Sequence, residues 1–213
     1  VVTVPFGLDN KVEDTLVQLL AGTVEVLNEA GAALVGGHTT EGAELYCGLS
    51  LTGLVDAEEV LRKGGLQPGD RLRLTKGHGA GTLFPAEMRL LAKGRWIDAA
   101  IQAMLQSSKA AAVSFRKHAA TACTDVTGFG LVGHLASMCA GSNVGAQICL
   151  ADVPVLPGAW SLVEAGDAIP GGTYRNLNSV KSKARWPDLS QEARIMLCDA
   201  QTSGGLLLAV SPD

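Results

Sequence analysis

The sequence predicts an α/β or α+β fold, and three patterns lead to that prediction. Short apolar runs typical of strands alternate with segments whose apolar residues recur at helical spacing. A capping pattern that starts at Asn10 and a glycine at Gly31 mark the two ends of one such helix. A break rich in glycine and proline at 64–70 divides the chain. We therefore expect two domains, 1–63 and 64–213.

The elements before the break follow from these patterns in order. The predicted elements are a strand over 1–6, a helix from 12 to the glycine at 31, and strands over 32–35 and 45–55.

The elements after the break alternate in the same way. The predicted elements are strands over 71–75, 121–124, 144–150 and 205–210, a glycine-rich loop over 77–81, and helices over 95–117, 130–140, 161–165 and 191–197. The polar stripe of the helix over 95–117 is narrow, so we expect this helix to be largely buried.

The composition excludes several classes of protein. The 213 residues carry a net charge of −4 and only 4% aromatic residues, with no basic run, so nucleic-acid binding is not expected. No apolar run approaches the ~20 residues of a membrane span. Five cysteines without a CxxC pair indicate a reducing, cytoplasmic setting. The chain begins with a strand-like segment rather than a leader or a start methionine, so we expect it to be part of a longer protein.

Two motifs follow strand-like segments and carry candidate binding groups. The glycines in the segment 36–42 allow backbone amides to approach an anion, although the pattern alone favours a simple turn between strands. Asp125, between a strand and a helix, suits Mg²⁺ or caps that helix. We expect His134 to be a packed residue rather than a ligand.

Two further loops are ambiguous or negative. The segment 199–205 is either a polar loop at a phosphate site or a turn without chemistry. The segment 76–82 lacks the Lys-Ser/Thr pair of a phosphate-binding loop, and its glycines lack dinucleotide-site spacing. No base lies near a cysteine in the sequence, so a thiol nucleophile has no support.

Together, four segments resemble those of selenophosphate synthetases (selenide, water dikinases), within the aminoimidazole-ribonucleotide-synthetase-like superfamily of ATP-binding proteins. The four segments are 36–42, 124–134, 171–176 and 199–207. The resemblance implies part of an N-terminal ATP-binding and dimerisation domain followed by a C-terminal α/β domain that is incomplete at its end. It also implies a homodimer that makes selenophosphate, AMP and phosphate from selenide, ATP and water with Mg²⁺.

The resemblance also assigns site residues. The ATP-binding loop comprises Gly36, Gly37, His38 and Thr39, and the metal ligand is Asp125. Further candidates to line the site, which stand in the matching segments, are Thr127, Asp199, Gln201 and Thr202.

This sequence departs from the family in three places. The family's N-terminal segment with a reactive Cys or selenocysteine and a Lys is not in these 213 residues, so we expect no turnover by them alone. Residues 76–78 are Lys-Gly-His, where relatives usually carry Lys-Pro-Leu, so His78 replaces a leucine. Residues 199–201 are Asp-Ala-Gln, where relatives usually carry Asp-Pro-Gln, so Ala200 replaces a proline.

Two alternatives remain open at this stage. One is another ATP-dependent ligase or kinase of the superfamily, which selenide would not stimulate. The other is a non-catalytic paralogue that binds nucleotide or only dimerises, although a scaffold has no physical need for the carboxylate of Asp125.

Overall fold

The computed structural model describes residues 1–5 and 11–212, and it confirms the mixed helical and sheet architecture. The chain divides into two compact units, Val1–Asp56 and Ala57–Asp213. The predicted domain limit at 63/64 stays a prediction. Within the described residues, no helix is both long enough and apolar enough to cross a membrane.

The first unit is a three-stranded sheet with one long helix. Strand β1 (Val2–Pro5) lies in the middle, parallel to β2 (Thr39–Gly42) and antiparallel to β3 (Tyr46–Cys47). Helix α1 (Val12–Ala30) connects the parallel pair and ends at Gly31, whose φ of 73° is left-handed, as predicted.

Two predicted strands of this unit are wrong. Residues 32–35 are irregular, and the run over 45–55 forms a strand only at Tyr46–Cys47. Residues 32–35 and 49–55 pair with no described strand, and an extended segment without a partner gains none of the backbone hydrogen bonds of a sheet. Asn10 and Phe6, on which the capping pattern and the end of the first strand depend, lie outside the described residues.

The second unit contains a three-stranded antiparallel sheet and seven of the described helices. The strands are β4 (Arg71–Leu74), β5 (Ala122–Asp125) and β6 (Leu206–Val210), in the order β4-β6-β5. The helices are α2 (Ala80–Met88), α3 (Gly94–Leu105), α4 (Lys109–Lys117), α5 (Gly130–Ser142), α6 (Ala159–Ala165), α7 (Gly171–Ser179) and α8 (Gln191–Cys198). Short 3₁₀ turns lie at Ala57–Glu59 and Leu150–Asp152.

Helix α8 joins the two apolar clusters of this unit. Its Leu197 belongs to a cluster with Val126 and Met138, and its Met196 belongs to a cluster with Leu83 and Val163. The Ser190 side chain accepts a hydrogen bond from Ala193 N and so caps α8 as the sequence predicts. Because α8 ends at Cys198, its packing fixes where the following segment 199–205 begins.

The predicted helix over 95–117 is two helices, and neither is largely buried. Ala100 is the one buried residue of α3, and α4 has none. Between them, Lys109 N donates to Ser107 Oγ at 3.2 Å, an alternative to helical pairing that serine offers the backbone. Helices α2 and α7 were not predicted, because glycine dominates the start of each.

The predicted strand over 144–150 is also wrong, because a groove separates this segment from the sheet. Thr75 N donates to Leu206 O, so by antiparallel alternation the backbone groups of Leu72 and Leu74 face away from β6. The groove, of about 990 Å³, lies between this edge of β4 and residues 144–149. No described strand pairs with the outer edge of β4.

Ser142, the last residue of α5, joins this helix to the segment before β4. Its Oγ accepts hydrogen bonds from Gly65 N at 2.9 Å and Leu66 N at 3.0 Å. Ser142→Ala leaves both amides without this partner. We therefore expect the free energy of unfolding, measured by urea titration, to fall by about 1–2 kcal/mol. Ser137→Ala, at an exposed position of the same helix, is the control. Equal stabilities of the two variants would contradict the prediction.

Candidate functional site

Asp125 is the last residue of β5 and is exposed, while Thr124 before it is buried. Helix α5 begins after Phe129 and has no side-chain cap, so Asp125 does not serve as its N-cap. No hydrogen bond within the described residues engages the Asp125 carboxylate. The structure therefore removes the capping alternative and leaves a carboxylate available for a ligand.

The loop after Asp125 is locked to the segment that precedes β6. Val126 N donates to Gly205 O at 2.8 Å, and Gln201 N donates to Thr127 O at 3.0 Å. A Cβ at Gly204 would lie 2.0 Å from Val126 O, so only glycine permits this approach. The fold thus brings the loops of Thr127 and Gln201, predicted from separate motifs, into direct contact.

His134 holds the same loop from the helix side. The side chain is buried, and its Nε2 accepts a hydrogen bond from Thr127 N at 3.1 Å. The ring proton is therefore assigned to Nδ1. Burial lowers the pKa of His134, and the positive charge of Lys63 lowers it further. The expectation that this histidine is packed is confirmed.

Asp199 is the centre of a buried hydrogen-bond network. Its carboxylate accepts from Thr82 N and Thr82 Oγ1 at 3.2 and 3.0 Å, from Thr173 Oγ1 at 3.1 Å and from Gln201 Nε2 at 3.1 Å. Burial raises the pKa of Asp199 to about 6, although the hydrogen bonds from Thr82, Thr173 and Gln201 oppose the shift. The residue is fully buried, and its expected place in the lining of the site stays a prediction.

Gln201 caps the start of α2. Its Oε1 accepts from Gly79 N at 3.0 Å and Ala80 N at 3.2 Å, the amides that a phosphate-binding loop would offer to a ligand. Protein groups already occupy these donors. This agrees with the sequence argument against a phosphate-binding loop at 76–82. Thr202, next in the chain, is exposed.

Two side chains of α7, those of Thr173 and Asn176, support the site although the sequence did not predict this role. Besides Thr173, Asn176 donates through Nδ2 to Gly128 O at 2.7 Å and to Cys198 O at 3.1 Å. Both residues belong to the segment 171–176, which the resemblance singled out. The side chains of Thr173 and Asn176 are buried because the segment that begins at Gly171 folds into helix α7.

The segment Gly36–Thr39 belongs to the first unit. All four residues are exposed, and nothing lies within 4 Å of a Cβ built on Gly36 or Gly37. His38 O accepts from Val2 N at 2.9 Å, and Thr39 starts β2. The backbone ahead of β2 is thus anchored at one end and open to a ligand along the two glycines.

A divalent ion can be tested against the groups present. The described residues contain no group of three or more His, Cys, Asp or Glu side chains arranged to hold a metal. Mg²⁺ keeps several waters and binds through one or two carboxylates together with phosphates, so the exposed carboxylate of Asp125 fits it. A site for zinc, which needs three or four protein ligands, does not fit the described residues.

Three of the five cysteines have a raised pKa and are therefore not activated as nucleophiles. Burial raises the pKa of Cys198 to about 12 and also raises that of Cys123 and Cys139. A thiol that stays protonated is a poor nucleophile. Cys47 and Cys149 are exposed, and all five thiols are free.

Comparisons with known proteins match both parts of the chain. The model of the AIR synthase related protein C-terminal domain matches residues 67–213, and that of the N-terminal domain matches residues 1–55. The fold resembles thiamine-monophosphate kinase from Stenotrophomonas maltophilia K279a, with a TM-score of 0.66 and 18% identity over 100% of this chain and 61% of that one. It also resembles E. coli HypE, a hydrogenase maturation protein, with a TM-score of 0.63 and 16% identity over 99% of this chain and 56% of that one.

Curated relatives named selenide, water dikinase are much more similar in sequence. The Salmonella typhi protein is 45% identical over 185 residues, which are 87% of this chain and 52% of that protein. The Trichlorobacter lovleyi protein is 43% identical over 93% of this chain and 57% of its own length, and the Aliarcobacter butzleri protein is 38% identical over 99% and 61%. The chain therefore spans between half and three-fifths of these relatives.

Two buried groups give folding a pH dependence of opposite sign. His78 is buried, and burial lowers its pKa from 6.5 to about 4, so acidification from pH 6.5 to 4 protonates only the unfolded chain and lowers stability. Burial raises the pKa of Asp199 from 3.8 to about 6, so between these pH values Asp199 is protonated only in the folded chain. Acidification over this range therefore raises stability.

We therefore expect the two contributions to offset each other between pH 4 and 6. His78→Gln removes the first, so its free energy of unfolding rises relative to wild type as the pH falls from 7 to 4.5. Asp199→Asn removes the second and gives the opposite slope. Urea titrations at both pH values measure the two differences. Parallel pH profiles for wild type and both variants would show that neither buried group is linked to folding.

Proposed function

Because the chain belongs to the AIR synthase related protein family, we propose that the whole protein synthesises selenophosphate from selenide, ATP and water, releasing AMP and phosphate. The 38–45% identity to selenide, water dikinases over most of the chain supports this activity above others of the same fold. The structural observation that supports it most is the exposed carboxylate of Asp125 at the end of β5. The loop after Asp125 is fixed by backbone hydrogen bonds to the segment before β6. A pure scaffold has no use for this free carboxylate.

Asp125 is the proposed Mg²⁺ ligand of the reaction. Bound Mg²⁺ neutralises charge on phosphate oxygens as phosphoryl groups transfer. The contribution of this chain is to hold the carboxylate in place, since Val126 and Thr127 directly after it are tied by backbone hydrogen bonds to Gly205 and Gln201. Thr127, two residues after Asp125, and the exposed Thr202, which follows Gln201 in the loop bonded to Thr127, are proposed to line the site with their hydroxyl groups.

Gly36, Gly37, His38 and Thr39 are the proposed ATP-contacting segment. Two exposed glycines give close access to backbone amides, and the imidazole and hydroxyl groups add donors. A homodimer in the cytoplasm completes the proposal. The five free thiols support a reducing compartment.

Selenide dependence tests the activity directly. The whole protein, given ATP, Mg²⁺ and selenide, is expected to release AMP and phosphate only when selenide is present, as chromatography of the nucleotides and ³¹P spectra of the products would show. ATP consumption that selenide does not stimulate would assign the protein to another ATP-dependent activity. Absence of ATP binding would support a scaffold.

Asp125→Asn tests the metal ligand in the same assay. We expect kcat to fall by about 100-fold or more, because Lewis-acid charge stabilisation contributes several kcal/mol. The Mg²⁺ concentration for half-maximal activity should rise as well. Asp98→Asn, at an exposed site on α3, is the control. An Asp125→Asn protein with the kinetics of this control would exclude Asp125 as a ligand.

A further inference from the structure

Lys76 is a buried cation that none of the roles above uses. The side chain is 9% exposed, and its Nζ donates to Ser203 O at 3.0 Å. Among the described residues, no carboxylate forms an ion pair with Lys76. A single carbonyl satisfies only one of the three N–H donors of an ammonium group.

The sheet register brings Lys76 to the same edge as Asp125. Asp125 is paired with Leu206 on one side of β6, and Thr75 is hydrogen-bonded to Leu206 on the other. Thr75 and Asp125 are therefore two strand spacings apart, about 10 Å. Lys76 is the next residue after Thr75, so the cation and the carboxylate lie at the same edge of the sheet, at the ends of the two strands that flank β6.

The electrostatics favour an anionic ligand. Burial lowers the pKa of Lys76, because the ammonium group loses part of its hydration. A methionine of similar length would fill the same space without that cost. The positive charge is therefore best explained by a negative group that arrives with a ligand.

We propose that Lys76 binds a phosphate oxygen of the nucleotide whose Mg²⁺ is held by Asp125. This rests on the proposed function, since it names a further residue of the same site. The Ser203 carbonyl holds the ammonium group in position, and Ser203 is itself fixed by its Oγ, which donates to Met104 O at 2.7 Å. Lysine binds phosphate as a point charge, so arginine should replace it only in part.

Equilibrium binding of Mg²⁺-ATP to the whole protein without selenide tests the proposal. We expect Lys76→Met to raise the Kd for ATP at least about tenfold, consistent with the loss of one charge-assisted hydrogen bond. Lys76→Arg should restore part of the affinity. Lys117→Met, at an exposed position of α4, should bind as wild type does. In turnover assays, Lys76→Met should raise the KM for ATP as it raises the Kd.

A purely structural role predicts a different pattern. If Lys76 only braces the Ser203 loop, Lys76→Met will lower the melting temperature while the Kd, measured well below it, is unchanged, and the proposal is overturned. A second measurement needs no variant: in wild type, ATP should slow amine labelling of Lys76 relative to Lys117, as mass spectrometry would quantify. Equal labelling with and without ATP also overturns it. Wild-type protein that binds ATP but shows no selenide-dependent AMP release refutes the proposed function alone.

Discussion

The second unit depends on one fully buried carboxylate, that of Asp199. Its two oxygens accept hydrogen bonds from the start of α2, from α7 and from the segment before β6, which are distant in sequence. Taking a carboxylate out of water is costly unless its lone pairs are satisfied, and here four donors satisfy them. The network therefore specifies one relative position for these three elements, since any displacement leaves a buried charge without partners.

This position determines the geometry at the end of β5. Gln201 is held by its side chain against the α2 amides, and its own backbone N–H then bonds to Thr127. Asn176 supports the same loop at Gly128 from the other side. The exposed carboxylate of Asp125 thus stands on a loop fixed from two directions, while the groups that fix it are inside the protein. Rigid support beneath an exposed ligand group is what a binding site needs.

Local signals predicted part of this architecture. Gly31 and Ser190 end and start their helices as expected, because capping depends on neighbouring residues alone. The run over 144–150 has strand-like composition but no partner, and pairing is a non-local property that composition does not contain. The site shows the same division. The strand-end position of Asp125 was predictable, whereas the inward role of Asp199 depends on Thr82 and Thr173, more than a hundred and more than twenty residues away.

The outer edge of β4 has a consequence for how the protein behaves at high concentration. Leu72 and Leu74 direct unpaired backbone groups into a groove whose floor includes Leu131 and Leu135, so hydrogen-bonding capacity and apolar surface coincide. An edge of this kind is a template for any extended chain. Arg71 and Arg73 alternate with the leucines along the strand and add positive charge there, a common defence against self-association. High salt would screen that repulsion, so purification at low ionic strength should keep the protein monodisperse longer.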